Sequence, residues 1–336
     1  MVAEYKSKLQ RDGRVDLAEV LPLDTPFLLY IDPSSACNFR CRFCPTGHQD
    51  LMREAGLKNS ILDFNVYKKI IDSLGDFPEK IKVIRFNKIG EPLLNPHAAQ
   101  MVAYAKDSGF VEAIHLTTNA ARLTEKLSKE LVEAGTDVIN ISIEGVSSSQ
   151  YKEICGVTID FKKLVDNIKW LYEHKESTKI NIKIPGNYLS DGEKDNFFEI
   201  FSGFCDSIFV ENLSSIWPGF DIVDRSGFPI QDVHQYGEDN REKQVCTYLF
   251  YAMAVNADGT VSACCPDWEQ KLIIGDAKIQ RIKEIWDSEQ LREMQIAHLR
   301  LERSSIDVCN QCGHIRSCQV DCIDDDAKEI LQRFSR

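Results

Sequence analysis

The chain has 336 residues, 43% of them apolar and 27% charged, a composition that supports a packed core and excludes general disorder. No run of about 20 uncharged apolar residues occurs, and the stretch Met1–Gly13 holds Lys6, Lys8 and Arg11 with no apolar segment, so neither a membrane span nor a secretory leader is expected and the expected location is cytoplasmic. A net charge of −12 argues against bulk attraction to nucleic acid or an anionic membrane and leaves small molecules or peptides as expected partners.

Residues 1–25 read as an N-terminal extension. From Pro26 to about residue 215, short apolar runs alternate with longer amphipathic segments, the pattern of βα repeats on a parallel sheet. Strands are expected near Phe27–Asp32, Val83–Asn87, Ile114–Asn119, Val138–Glu144, Ile180–Pro185 and Ile208–Glu211, with helices near Asn65–Leu74, Pro96–Ser108, Thr124–Ala134, Phe161–His174 and Asp191–Gly203. Six such units predict an α/β fold, a partial (β/α)6 TIM-type barrel.

Strand parity says which face is which, because alternate side chains point to opposite sides. One parity is apolar throughout, as in Ile139, Ile141 and Ile143 or Ile180, Ile182 and Ile184. The other carries Arg85 and Asn87, His115, Thr117 and Asn119, Asn140, Ser142 and Glu144, Asn181 and Lys183. Polar groups in a barrel interior are costly unless they are paired or face a ligand, so the interior is expected to be a site, with its mouth at the C-terminal strand ends.

Residues 216–245, with Trp217, Pro218, Gly219, Gly227 and Pro229, read as a linker or covering loop. A smaller Cys-rich α+β module is expected over residues 246–336. It comprises a hairpin from Tyr251–Val255 to Thr260–Ala263 around Asp258-Gly259, a helix near Ile282–His298 and a cysteine-rich tail.

Twelve cysteines in a reducing compartment point to metal rather than disulfides. Cys37, Cys41 and Cys44 have the spacing C-x3-C-x2-C on the loop that leaves the first strand. Three thiolates on one short loop can hold three irons of a [4Fe–4S] cube and leave the fourth open to a small molecule; a zinc site completed by His48 is the alternative. With Phe43 before its last cysteine, the segment resembles the signature of the radical S-adenosylmethionine (radical SAM) superfamily.

That resemblance implies S-adenosylmethionine chelated to the open iron, reductive cleavage to a 5′-deoxyadenosyl radical, and hydrogen abstraction from substrate. Ile89-Gly90-Glu91-Pro92 resembles the family's Gly-Gly-Glu-Pro motif with Ile89 in place of the first glycine, which implies that Gly90 and Glu91 meet the methionine ammonium. The resemblance likewise implies cofactor contacts for Phe43, Ser142, Glu144 and Asn119, with Glu144 on the ribose diol. A salt bridge of Glu144 with Lys183 or Arg85 is the structural alternative.

Cys246-x12-Gly259-x4-Cys264, then Cys309-x2-Cys312-x5-Cys318-x3-Cys322, resembles the SPASM extension of radical SAM enzymes, which houses auxiliary iron–sulfur clusters. No cysteine follows Cys322, so two fully cysteine-ligated auxiliary cubes lack ligands and at least one auxiliary [4Fe–4S] cluster is expected. The shorter twitch form of the 2-deoxy-scyllo-inosamine dehydrogenase type implies Cys246, Cys264, Cys309 and Cys312 as its ligands. Cys318 and Cys322 remain SPASM remnants, ligands of a second cluster, or inert thiols. A zinc ribbon on Cys264, Cys265, Cys309 and Cys312 is the runner-up.

Alternation on a regular strand points Cys265 away from Cys264, toward substrate as a hydrogen-atom donor or into the core as a plain thiol. Lys183 is a candidate to bind an anionic group or deprotonate a hydroxyl. Cys155 and Cys205 read as core thiols, and His48, His97 and His314 as structural. The expected function is a radical SAM oxidoreductase, a dehydrogenase or epimerase acting at a hydroxyl-bearing carbon of a sugar, amino sugar or cyclitol, with a flavodoxin- or ferredoxin-type reductant. A peptide- or protein-modifying SPASM maturase is the alternative.

Overall fold

The structure, a computed structural model, describes residues 3–7, 14–230, 233–237 and 240–334; Lys8 and Arg11 lie outside them. Its strands are β1 (Glu4–Tyr5), β2 (Leu28–Ile31), β3 (Ile81–Phe86), β4 (Val111–Thr118), β5 (Val138–Ser142), β6 (Lys179–Pro185), β7 (Ser207–Glu211), β8 (Ala252–Val255), β9 (Thr260–Ser262) and β10 (Ile273–Asp276). They form one sheet in the order β1-β7-β6-β5-β4-β3-β2-β8-β9-β10. From β2 to β7 every neighbouring pair is parallel, the partial barrel expected from the six βα units.

The outward parity is packed dry: Ile84, Phe86, Ile114, Leu116, Ile139, Ile141, Ile180 and Ile184 have no exposed surface. They meet the helices Phe64–Ser73, Ala98–Ser108, Glu125–Glu133, Phe161–Glu173 and Asp191–Phe201. Each of these except Ala98–Ser108 is opened by an Asp, Thr or Ser whose side chain accepts a backbone N–H of the first turn, which sets where each helix begins. A further helix, Ser148–Cys155, follows β5. Its last residues contact the cysteine loop, with Arg40 N donating to Cys155 O at 2.7 Å and Arg42 N to Ile154 O at 3.0 Å.

Four features differ from the expectations. The hairpin does not stand apart from the barrel, because β8 pairs in parallel with β2, Leu28 to Ala252 through Ile31 to Val255. A third strand, β10, extends it antiparallel to β9. The helix expected over Ile282–His298 is two, Ile282–Trp286 and Glu289–Leu299. The break falls where the Ser288 side chain caps the second helix through Leu291 N. Finally, the N-terminal extension supplies β1, which pairs in parallel with β7.

Candidate functional site

The inward parity of the barrel opens onto a cavity of about 740 Å³. Arg85, Asn87, His115, Thr117, Asn140 and Asn181 line it, as do the sequence-predicted Cys37, Cys41, Cys44, Phe43, Gly90, Glu91, Asn119, Ser142, Glu144, Lys183 and Cys265. Three loops at the C-terminal strand ends therefore meet over one chamber. Gly90 sits where the β3 loop crosses the one after β2, and a Cβ there would lie 1.7 Å from Ser34 O, so only glycine fits the crossing.

Glu91 is buried and its carboxylate is engaged by the protein. Oε1 accepts from Thr118 Oγ1 at 2.7 Å and Leu93 N at 3.0 Å, and Oε2 accepts from Asn119 N at 2.8 Å. Burial raises its pKa, and these three donors hold it back. Glu91 therefore ties the β3 loop to the end of β4, with little acceptor capacity left for a ligand. Asn119 Nδ2 donates to Asn38 Oδ1 at 2.9 Å, which joins that tie to the cysteine loop.

Glu144 follows β5, the strand beside β4. Burial pushes its carboxyl up to about 8, with the charge of Lys183 opposing, that of Glu211 adding and the hydrogen bond of Tyr188 opposing. Tyr188 Oη reaches Glu144 Oε2 at 3.5 Å, and the Tyr188 ring stacks on Phe43 at 6.2 Å between centroids. Tyr188 was not singled out from sequence, because it follows β6 on a loop with no periodicity to mark it. Lys183 makes its salt bridge with Glu211, on the neighbouring strand, rather than with Glu144.

Burial pushes the Cys37 thiol up to about 12, and the hydrogen bond with Cys155, then burial, raises Cys41. Thiolates, not thiols, bind iron, so loading this loop would release protons. Among the described residues no three Cys, His, Asp or Glu side chains converge closely enough for a single metal ion. A cube takes one thiolate per iron and so accepts a wider triangle of sulfurs. The donor set, three thiols on one loop facing a chamber, fits such a cube.

Cys246, Cys264, Cys309 and Cys312 line a second, small cavity together with His298. Burial is the main cause that raises Cys264, and the other three cysteines add to it, as expected for four sulfurs gathered in one place. This soft, all-sulfur donor set fits an iron–sulfur cube. Cys318 is elsewhere: it lines the barrel cavity and its Sγ donates to Gln235 Oε1 at 2.9 Å. Cys322 is exposed, and Cys155 and Cys205 are buried thiols.

Cys265 faces the barrel chamber while Cys264 faces the small cavity, so adjacent residues of one strand end serve both. Cys265 packs against the cluster of Leu28, Tyr30, Ala252 and Ala254. Between the two cavities Lys88 is buried, its Nζ donating to Asp267 O at 2.8 Å. Asp32 is also buried, its carboxylate facing the amides of Gly90 and Ser34. These two were missed because each reads as an ordinary residue at a strand end.

Residues 31–193 match the radical SAM superfamily and residues 246–313 match the SPASM iron–sulfur cluster-binding domain. The chain carries a radical SAM domain and a SPASM domain. These imply S-adenosylmethionine, a radical SAM [4Fe–4S] cluster and auxiliary iron–sulfur clusters.

Among relatives, the tungsten-containing aldehyde ferredoxin oxidoreductase cofactor-modifying protein of Pyrococcus furiosus is 32% identical over 197 residues, 56% of this chain and 52% of its own. A GTP 3′,8-cyclase of Chlorobaculum tepidum is 33% identical over 121 residues, 36% of this chain and 34% of its own. This radical SAM chain thus spans about half the length, or less, of these curated relatives. Two solved structures share the fold. BtrN in complex with AdoMet and 2-DOIA has 18% identity and a TM-score of 0.53, covering 85% of this chain and 92% of that one. AdoMet-bound anSMEcpe has 15% identity and a TM-score of 0.60, covering 92% and 96%.

Proposed function

We propose that this radical SAM enzyme removes a carbon-bound hydrogen atom from a hydroxylated small molecule, a sugar, amino sugar or cyclitol, and oxidises or inverts that carbon. The observation that carries the reading is the chamber's lining of Thr117, Asn140, Asn181 and Lys183, a hydroxyl, two amides and an ammonium able to hydrogen-bond a ligand's hydroxyls. In this reading Cys37, Cys41 and Cys44 hold the radical SAM cube and Cys246, Cys264, Cys309 and Cys312 the auxiliary one. The bound cofactors supply one-electron hydrogen abstraction and an electron acceptor.

The chain's own residues bind and orient. Glu91 fixes the loop that carries Gly90, and Ser142, Asn119 and Glu144 surround the S-adenosylmethionine, with Phe43 braced by Tyr188. Lys183 is held by Glu211 as an ammonium, where it can donate to a substrate hydroxyl and orient it rather than take up its proton. Cys265, facing the same chamber, is the thiol able to return a hydrogen atom.

The test is anaerobic turnover of candidates deuterated at the reacting carbon. Deuterium appearing in 5′-deoxyadenosine from a sugar or cyclitol supports the reading, and solvent deuterium in product then separates inversion from oxidation. Label transferred from a peptide, with none from any sugar or cyclitol, would overturn the substrate class.

A further inference from the structure

The chamber contains a cation with no counter-ion among the described residues. Arg85 of β3 is in register with Tyr30 of β2 and with His115 of β4, so the three share one level of the barrel, and Arg85 precedes Gly90 by five residues, deeper than the proposed S-adenosylmethionine loop. The guanidinium has five N–H donors. Its one hydrogen bond in the structure is long, from Nη1 to Tyr30 Oη at 3.5 Å.

No carboxylate among the described residues neutralises it. Of the chamber's carboxylates, Glu91 is committed to Thr118, Leu93 and Asn119, Glu211 to Lys183 and Asp206 to Lys175, while Glu144 contacts Tyr188 and not Arg85. The charged and polar groups that face Arg85 are instead phenols, those of Tyr30, Tyr248 and Tyr236, with Tyr30 Oη 3.4 Å from Tyr248 Oη. His115 registers the uncompensated charge: burial first, and the Arg85 cation second, drive its pKa down to about 4, so it stays neutral. The guanidinium is only partly buried and lines the cavity, so its free N–H donors face the space a ligand would fill. The fold keeps it at the floor of a chamber large enough for a ligand.

We propose that Arg85, with the phenols of Tyr30 and Tyr248, is an anion subsite that holds a phosphate or carboxylate group of the substrate, so that the substrate is an anionic hydroxylated compound rather than a neutral sugar. The inference rests on the reading of the barrel chamber as the substrate site. The planar fork suits the two oxygens of either group, and phenol O–H groups can donate to a third. Because Cys265 contacts Tyr30, an anion held there sets the rest of the substrate beside that thiol.

The experiment uses the anaerobic holoenzyme with saturating S-adenosylmethionine and titrates inorganic phosphate and acetate by calorimetry, comparing wild type with Arg85→Gln and Arg85→Lys. Wild type should bind at least one of them saturably, and phosphate over acetate, or the reverse, identifies the group. Arg85→Gln should weaken that binding by about ten- to a hundredfold, the worth of lost charge-assisted hydrogen bonds. Arg85→Lys should retain part of it. Without the probe, Arg85→Gln should melt no lower than wild type, since it removes an uncompensated charge, whereas a purely structural arginine would make it melt lower.

Binding unchanged in a folded Arg85→Gln, or no saturable binding of either anion by wild type, would overturn the subsite. Arg85-dependent anion binding with no 5′-deoxyadenosine from any hydroxylated compound would keep the subsite and remove the sugar reading. Turnover of a neutral sugar unaffected by Arg85→Gln would do the reverse.

Discussion

The backbone N–H of Cys246 donates to Nδ1 of His298 at 3.0 Å. A nitrogen that accepts carries no proton, so the imidazole is neutral and its hydrogen is on Nε2. Nε2 is buried, without a hydrogen-bond partner among the described residues, in the cavity that the four cysteines line. Hydrogen bonds to cluster sulfur raise a reduction potential, so His298→Leu should lower the midpoint of the auxiliary cluster in an electron-paramagnetic-resonance redox titration while iron content holds. An unchanged midpoint would show that Nε2 does not reach the sulfurs.

Replacing Cys37, Cys41 and Cys44 together by Ala should abolish S-adenosylmethionine cleavage and lower reconstituted iron by about four per chain, one cube. The auxiliary signal should persist, because its proposed ligands line a different cavity. Continued formation of 5′-deoxyadenosine by the triple variant would remove the assignment.

Total iron after anaerobic reconstitution should be about eight per chain, the content of two cubes. Cys309→Ala or Cys312→Ala should reduce it, and Cys318→Ala with Cys322→Ala should not, since Cys318 bonds Gln235 in the barrel chamber and Cys322 is exposed. Near twelve irons, lost with Cys318, would establish a second auxiliary cluster.

Glu91→Ala should cost stability as well as cofactor affinity, because it strands the donors Thr118 Oγ1, Asn119 N and Leu93 N. Hydrogen bonds to a charged group are each worth roughly 1.5–3 kcal/mol, so a clear fall in melting temperature is expected, read by differential scanning calorimetry. Glu144→Ala, with its carboxylate in one long contact at 3.5 Å, should lose S-adenosylmethionine affinity with little change in melting. Equal thermal effects in the two variants would contradict this division.

Burial pushes the Asp32 carboxyl up to about 7, and the charge of Lys88 and the amides of Gly90 and Ser34 only partly oppose it. A raised folded-state pKa favours the protonated fold, so the stability Asp32 contributes is complete below about pH 4 and is lost as pH rises through 7. Asp32→Asn removes that dependence. Its melting temperature relative to wild type should therefore climb by several degrees between pH 5 and 8. A difference that stays flat with pH would mean that Asp32 is ionised throughout.

The barrel was legible because two periodicities coincide on it. The isoleucines of Val138–Ser142 and Lys179–Pro185 mark one face and the polar residues between them the other, and the cysteine spacing sits on the loop where such a barrel has its mouth. The pairing of Lys183 with Glu211 was not legible, since it depends on the register of β6 with β7. Nor was the place of β8. Its Asp-Gly turn identifies a hairpin, but the strand it joins lies more than 200 residues earlier. One signal was available: all four residues of Ala252–Val255 are buried, and their unbroken apolar run is that of a strand covered on both faces.

Strand β2 thus has a neighbour on either side, β3 and β8, while the two-residue β1 shields the far side of β7. Cutting the chain between residues 216 and 245 would not release two self-sufficient pieces. It would bare one edge of β2 along its whole length, together with Leu28 and Tyr30 where they pack on Ala252 and Ala254. An uncovered apolar edge of that kind recruits other strands. The isolated barrel is therefore expected to self-associate, and the small C-terminal module serves as its edge guard as well as its second cluster's seat.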